Sequence, residues 1–223
     1  MDPMSMEEDG TRTARLLNRR SLTNRIFEIQ LSRPHGFRFL PGQWVRLFLE
    51  ASSRDYSLVS APEDAALAFC IRQVHGGRIS PLLAEAEKGA SFSITGPHGY
   101  FIYRNSNRRA VFVATGVGIA PFVSMARAGI AGFILLHGVR KPTDLIYGDV
   151  FSKSAERYIP CISEPGATVS GAFHGRVTDF LEKHLWPDAY DFYLCGRSEM
   201  IRDATLIADE RFPGAPVYAE TFY

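Results

Sequence analysis

The stretch from Ala110 to Val139 carries a single formal charge, Arg127, over a length that could span a bilayer. A segment so apolar either crosses a membrane or lies inside a fold. Gly116, Gly118, Pro121, Gly129 and Gly132 interrupt it, and both its ends are β-branched or aromatic runs. It therefore reads as strand, turn, helix and strand buried in an α/β sheet, with no membrane insertion expected. Ala110-Val111-Phe112-Val113-Ala114 has the unbroken apolar character of a parallel strand covered on both faces. Gly132 to Val139 reads as the second strand, Arg157 to Ile162 as the third and Asp191 to Leu194 as the fourth. A helix opens at Gly175 to Leu181, and Cys195-Gly196 stands at the carboxyl end of the fourth strand, where open α/β sheets bind ligands.

Upstream the pattern changes. From Arg12 to about Ile94 the apolar runs are short and separated by turn residues, as in Phe27-Glu28-Ile29-Gln30-Leu31, Pro34-His35-Gly36 and Trp44 to Leu49. Regularly spaced short strands with this punctuation predict an antiparallel barrel. The polar run Arg104-Asn105-Ser106-Asn107-Arg108-Arg109 separates the two regimes. The expected organisation is thus a disordered tail over 1–11, a barrel domain over 12–103, a linker over 104–109 and an α/β domain over 110–223.

The net charge of +1 in 223 residues gives no support to nucleic-acid binding, which needs a strongly basic footprint, although a local basic patch for an acidic protein stays open. Three distant cysteines, Cys70, Cys161 and Cys195, provide neither a disulfide framework nor paired metal-ligand spacing, and cannot hold a four-thiolate iron-sulfur cluster. No metal site is expected. Without a signal-peptide pattern, the reducing cytoplasm is the expected location.

Two stretches of the barrel half carry candidate chemistry. In Arg54-Asp55-Tyr56-Ser57, strand alternation puts Arg54 and Tyr56 on one side, Asp55 and Ser57 on the other. The tetrapeptide also describes many ordinary exposed strands. Phe69 to Val74 reads as another strand, ending at His75-Gly76-Gly77, and Ser80 before Pro81 reads as a helix N-cap. A glycine turn running into a helix start suits an anion, although a capped helix without ligand is an equal reading of those residues alone. In the second half, Gly116-x-Gly118-x-x-Pro121 has proline where a dinucleotide fingerprint has its third glycine. A generic strand-helix turn is the alternative there.

Taken in order, Arg54-x-Tyr56-Ser57, Gly76-Gly77-Arg78-Ile79-Ser80, Gly96-Pro97-x-Gly99-x-Phe101, Thr115-Gly116-Val117-Gly118-Ile119-Ala120-Pro121, Cys195-Gly196-x-x-x-Met200 and Glu220-Thr221-Phe222-Tyr223 resemble the ferredoxin-NADP reductase family, from about Arg12 onward. The resemblance implies a Greek-key flavin-binding barrel followed by a parallel-sheet nicotinamide-binding domain. It implies that Arg54 holds the FAD pyrophosphate, Tyr56 stacks on the flavin ring and Ser57 approaches its N5. Gly77, Arg78, Ile79 and Ser80 would wrap the same pyrophosphate, with Ile71, Arg72 and Gln73 along the flavin edge; Arg72 reads equally as a solvated strand residue. Thr115, Gly116, Gly118, Pro121, Arg140, Cys195, Gly196 and Met200 match nicotinamide-side positions. Cys195 would position the nicotinamide without acting as a nucleophile, Glu220 would orient it or relay a proton, and Phe222 or Tyr223 would shield the flavin. The catalytic candidates are Ser57, Cys195 and Glu220.

The resemblance further implies an FAD-dependent NAD(P)H reductase that takes hydride from nicotinamide and passes single electrons to a separate ferredoxin, flavodoxin or oxygenase component. A reductase of free flavin, and a non-catalytic flavin subunit or redox sensor, are the alternatives. Arg140 would suit a 2′-phosphate, whereas Glu164 stands where NADP-specific relatives often carry arginine and favours NADH.

Overall fold

In the first half of the chain apolar residues recur at every second position of short strands, and Ala14 and Leu16, Val45 and Leu47, Phe92 and Ile94 are all buried. The structure, a computed structural model, describes residues 10–49, 52–166 and 169–222. The chain divides into two units, Met1–Ile102 and Tyr103–Tyr223. Most of the tail read over 1–11 lies outside the described residues.

In the first unit, strands β1 (Arg12–Ser21), β2 (Ile26–Ser32), β3 (Trp44–Leu49), β4 (Ser52–Ser57) and β5 (Ala66–Arg72) precede helix α1 (Ser80–Glu85) and strand β6 (Ser91–His98). They form one antiparallel sheet in the order β4-β3-β6-β1-β2-β5. The two ends of that order meet: Leu58, just beyond β4, bridges to Phe69 of β5, and the Val59 N–H donates to the Ala68 carbonyl at 2.8 Å. Closing the sheet removes its open edges and encloses a core that includes Ile29, Leu31, Leu58 and Phe69. This is the expected antiparallel barrel. The strand read over Phe69 to Val74 stops at Arg72. There the Gln73 N–H leaves the ladder to donate to the Arg25 carbonyl at 2.7 Å.

The second unit has strand β7 (Arg109–Thr115), a 3-10 turn (Gly116–Ile119), helix α2 (Ala120–Arg127), strand β8 (Ile134–Val139), helix α3 (Gly148–Ser154), strands β9 (Arg157–Ile162) and β10 (Phe173–His174), helix α4 (Val177–His184), strand β11 (Tyr190–Gly196), helix α5 (Ser198–Arg211) and strand β12 (Val217–Thr221). The strands are parallel, in the order β10-β9-β8-β7-β11-β12. The stretch 110–139 is therefore strand, turn, helix and strand, as its composition requires. Helix α3, the short β10 and helix α5 stand beyond the elements read from the sequence. One sheet face buries Val113, Leu136 and Leu194 with Leu181 and Ala204. On the other, the Phe112 ring stacks on Phe122 at 4.6 Å and on Phe133 at 4.4 Å.

The polar run read as a linker is tied to β11. The Arg104 N–H donates to the Tyr193 hydroxyl at 3.0 Å, and the Ser106 hydroxyl to the buried Asp191 carboxylate at 2.5 Å. Arg108 lies 3.9 Å from the other Asp191 oxygen. Among the described residues no helix is long and apolar enough to cross a membrane.

Candidate functional site

In the parallel sheet the chain runs from β7 through β8 to β9 in one direction, then crosses back to β11 and β12 on the other side of β7. The strand order reverses between β7 and β11, and open α/β sheets bind ligands at the carboxyl ends of strands flanking such a reversal. The sequence places Thr115-Gly116-Val117-Gly118 at the end of β7 and Cys195-Gly196 at the end of β11.

These two segments touch. A Cβ on Gly118 would lie 2.4 Å from the Cys195 carbonyl oxygen and 2.8 Å from Gly196 Cα, distances no side chain tolerates. Gly196 has φ +144°, and a Cβ there would sit 2.1 Å from Thr115 Oγ1. The Thr115 hydroxyl in turn accepts from the Arg197 N–H at 3.1 Å. Gly118 is thus demanded by backbone against backbone and Gly196 by its positive φ and the Thr115 hydroxyl, and bare glycine backbone lets a phosphate-bearing ligand approach closely. Pro121 is buried within the first turn of α2, the position where its missing N–H costs nothing.

The last strand completes the cluster. Glu220 is the register partner of Cys195, and the Phe222 N–H donates to the Gly196 carbonyl at 2.9 Å. Cys195 is fully buried; burial first, and the neighbouring Glu220 second, push its thiol well above its ordinary range. A neutral thiol is no nucleophile. Thr115, Gly116, Gly118, Cys195, Gly196, Glu220 and Phe222 are therefore brought together. Met200, in the first turn of α5, packs in the core with Leu194 and Ala204. Tyr223 lies outside the described residues.

Beneath the turn, His137 of β8 is buried, and its Nδ1 lies 3.1 Å from the Tyr158 hydroxyl. Its Nε2 has no hydrogen-bond partner among the described residues. Burial pushes His137 down to about 4, while the Gly116 backbone acts in the opposite sense without closing a hydrogen bond. At neutral pH the ring is uncharged, leaving the turn above it free of a fixed positive charge.

On the barrel unit, β4 alternates as read. Val45 faces Tyr56 and Leu47 faces Arg54, while Arg46 faces Asp55 and Trp44 faces Ser57. Arg46 and Asp55 form a two-pronged ion pair at 2.7 and 2.9 Å. Arg54, on the other side, has no ion pair among the described residues, and its guanidinium donates to the Ser53 carbonyl at 3.0 Å. Tyr56 is half-buried against the barrel core; burial pushes its phenol up to about 12, partly opposed by Arg54. Ser57 is buried.

The turn after β5 departs from expectation at one residue. Ser80 is the first residue of α1 rather than its cap; Ile79 occupies the cap position with no side-chain hydrogen bond. The Ser80 hydroxyl instead accepts from the Val74 N–H at 2.9 Å, because the turn doubles back on itself. Gly77 sits inside that turn, where a Cβ would meet the Val74 carbonyl at 3.0 Å. Ile71 and Ile79 are buried in the barrel core and can offer a ligand only their backbone, whereas Gln73 and Arg78 are exposed and Arg72 is half-buried.

These residues fit a flavin dinucleotide. A guanidinium without an ion pair among the described residues, a neutral half-buried ring and a glycine turn in which Gly76 has φ +72° offer a phosphate contact, a stacking surface and a close backbone approach. Sequence reasoning missed Lys141, which follows Arg140 beyond β8 and lies 3.6 Å from Glu164, and it missed the His137–Tyr158 contact. Neither has a local signal, since each joins residues of two separate strand segments.

Residues 16–103 match the family of oxidoreductase FAD-binding domains, and residues 112–205 that of oxidoreductase NAD-binding domains. The chain is 35% identical over 176 residues to ferredoxin–NADP reductase B of Sorangium cellulosum, covering 71% of this chain and 72% of that protein. It is 34% identical over 177 residues to the toluate 1,2-dioxygenase electron transfer component of Pseudomonas putida, covering 73% of this chain and 52% of that one. It is 31% identical over 214 residues to the reductase component of the naphthalene 1,2-dioxygenase system of the same organism, covering 89% and 64%. The chain thus spans about half to two thirds of the length of those two oxygenase-system relatives. The fold matches that of a ferredoxin NADP+ reductase from Neisseria gonorrhoeae solved with FAD and NADP, with a TM-score of 0.83, 24% identity and coverage of 96% and 99%.

Proposed function

The chain belongs to the ferredoxin–NAD(P) reductase family, and from that membership we propose that it is an FAD-dependent NAD(P)H reductase serving a separate one-electron carrier. Residues 12–103 hold FAD and residues 110–223 hold the nicotinamide dinucleotide. The carrier is a ferredoxin, a flavodoxin or an oxygenase component, in line with the electron-transfer names of its relatives. The observation that carries this reading is the meeting of Thr115, Gly118, Cys195, Gly196 and Glu220 at the reversal of strand order.

When bound, FAD supplies the chemistry that converts a two-electron hydride into single electrons. The protein's own residues bind and orient. Arg54 and the N–H groups around Gly77 hold the pyrophosphate, with Arg78 at its exposed side, while Tyr56 offers its ring and Ser57 its hydroxyl to the flavin. The backbone at Ile71 to Gln73 borders the flavin edge. The Gly116–Gly118 turn would receive the nicotinamide pyrophosphate, Cys195 and Gly196 would position the nicotinamide, and Glu220 would orient it or relay a proton. The cytoplasm is the compartment in which the three buried cysteines stay thiols.

The test is anaerobic titration of the flavin-loaded protein with NADH and with NADPH, following the flavin absorbance. Bleaching by either nicotinamide is expected, and its absence with both would overturn the reductase reading. Glu220→Gln should slow bleaching on the order of ten- to a hundredfold, with unchanged nicotinamide affinity.

A further inference from the structure

The β7–β8 ladder ends with Ala114 opposite His137 and Thr115 opposite Gly138. The chain then breaks away at Gly116, whose φ of +57° lies in the left-handed region. The His137 ring is fully buried beside this break, and its two nitrogens are unequally served. Nδ1 lies 3.1 Å from the Tyr158 hydroxyl, whereas Nε2 has no hydrogen-bond partner among the described residues. A buried polar atom left in that state is costly and rare in folded proteins. The Gly116 backbone acts on the ring and favours its protonated form, which of the groups in a peptide only the carbonyl oxygen can do. A carbonyl accepts and never donates, so Nε2 is the nitrogen that carries the hydrogen and Nδ1 is the acceptor. Tyr158 suits that arrangement, because burial pushes its phenol up to about 12 and keeps its proton available for Nδ1.

We propose that His137 is a positioning residue for the dinucleotide turn, an inference that rests on the nicotinamide reading of this unit. Its Nε2–H, oriented by the Tyr158 hydroxyl, holds the Gly116 carbonyl toward the sheet. In a trans peptide the carbonyl and the N–H point opposite ways. A Gly116 carbonyl turned to the ring therefore turns the Val117 N–H of the same peptide away from it, toward a pyrophosphate oxygen. A phosphate drawing on that N–H polarises the peptide and makes its carbonyl a stronger acceptor. Dinucleotide binding and the His137–Gly116 hydrogen bond thus reinforce each other, although the ring itself touches no ligand.

The test uses the flavin-loaded full chain and whichever of NAD+ and NADP+ binds more tightly, with affinity read by calorimetry. The amide nitrogen of glutamine reaches as far along its side chain as Nε2, that of asparagine only as far as Nδ1, so two variants separate the two ring contacts. His137→Asn should weaken dinucleotide binding by about tenfold, while His137→Gln should stay within about twofold of wild type. Nitrogen NMR of the wild-type ring should show the Nε2–H tautomer at neutral pH, and the Nε2–H proton should move downfield when the dinucleotide binds. These spectra need no variant and decide the case if a substitution prevents folding. Equal affinities in the two variants, the Nδ1–H tautomer, or an Nε2–H resonance unmoved by the dinucleotide would each overturn the proposal alone. Failure of wild type to bind either dinucleotide would overturn the nicotinamide reading and the proposal with it.

Discussion

At Gly118 a single hydrogen atom in place of a side chain lets the turn after β7 lie on the end of β11. Gly118→Ala would drive a methyl group into the Cys195 carbonyl, and neither segment can retreat without breaking parallel ladder pairing. We expect a loss of about 1–3 kcal/mol or more in urea unfolding, together with loss of nicotinamide-driven bleaching. His137 offers a prediction of a different kind. Its folded value of about 4, set by burial, lies below the ordinary 6.5. Between those two values the unfolded chain takes up a proton that the folded chain refuses, so the contribution is complete above 6.5 and lost as pH falls toward 4. The full loss is about 3 kcal/mol, and His137→Gln should remove it. Urea unfolding of both proteins at pH 7 and at pH 4.5 checks this: wild type should lose more stability than the variant, and equal losses would refute the assignment. That Gly118 mattered was legible from its motif. His137 was not, because a histidine inside a run of leucines has no local mark of its partner on the next strand.

Among the elements, the turn between β5 and α1 shows how a correct motif can be read with the wrong hydrogen bond. Serine before proline looks like a cap, yet the hydroxyl reaches backwards to Val74 and leaves the helix start uncapped. Ser80→Ala should therefore leave the Val74 N–H without its acceptor and cost about 1–3 kcal/mol. If Gly77 to Ser80 hold the flavin pyrophosphate, the same variant should release flavin on gel filtration while wild type retains it. Strand β4 was legible in full, because period-two alternation alone separates Arg54 and Tyr56 from Asp55 and Ser57. Its Arg46 partner across the ladder was not, since register is a property of two strands. The run 104–109 was legible as a change of composition, but its anchoring on Asp191 and Tyr193 depends on residues more than eighty positions away.

For the whole molecule, charge is balanced between the two units and uneven only along the first. Residues 1–102 carry twelve Lys and Arg against eleven Asp and Glu and residues 103–223 thirteen of each, but all four acids of the first nine residues precede the barrel strands, which leaves residues 10–102 with twelve against seven. An acidic carrier protein should therefore be drawn to the barrel unit, and its reduction by this chain should slow as salt rises from 50 to about 300 mM, at Debye lengths that fall below 10 Å. Bleaching by NADH alone should change far less, and equal salt dependence of the two would refute a charged docking step. The sequence by itself determined the two kinds of domain, because strand alternation, buried-strand composition and glycine turns are local and periodic signals. It also singled out the short segments proposed above to hold the two dinucleotides. Only the tertiary structure decided what those segments touch: Gly118 against Cys195, Glu220 beside the same thiol, and Lys141 held by Glu164. Such contacts come from strand order and loop lacing, which bring together residues with no fixed spacing along the chain.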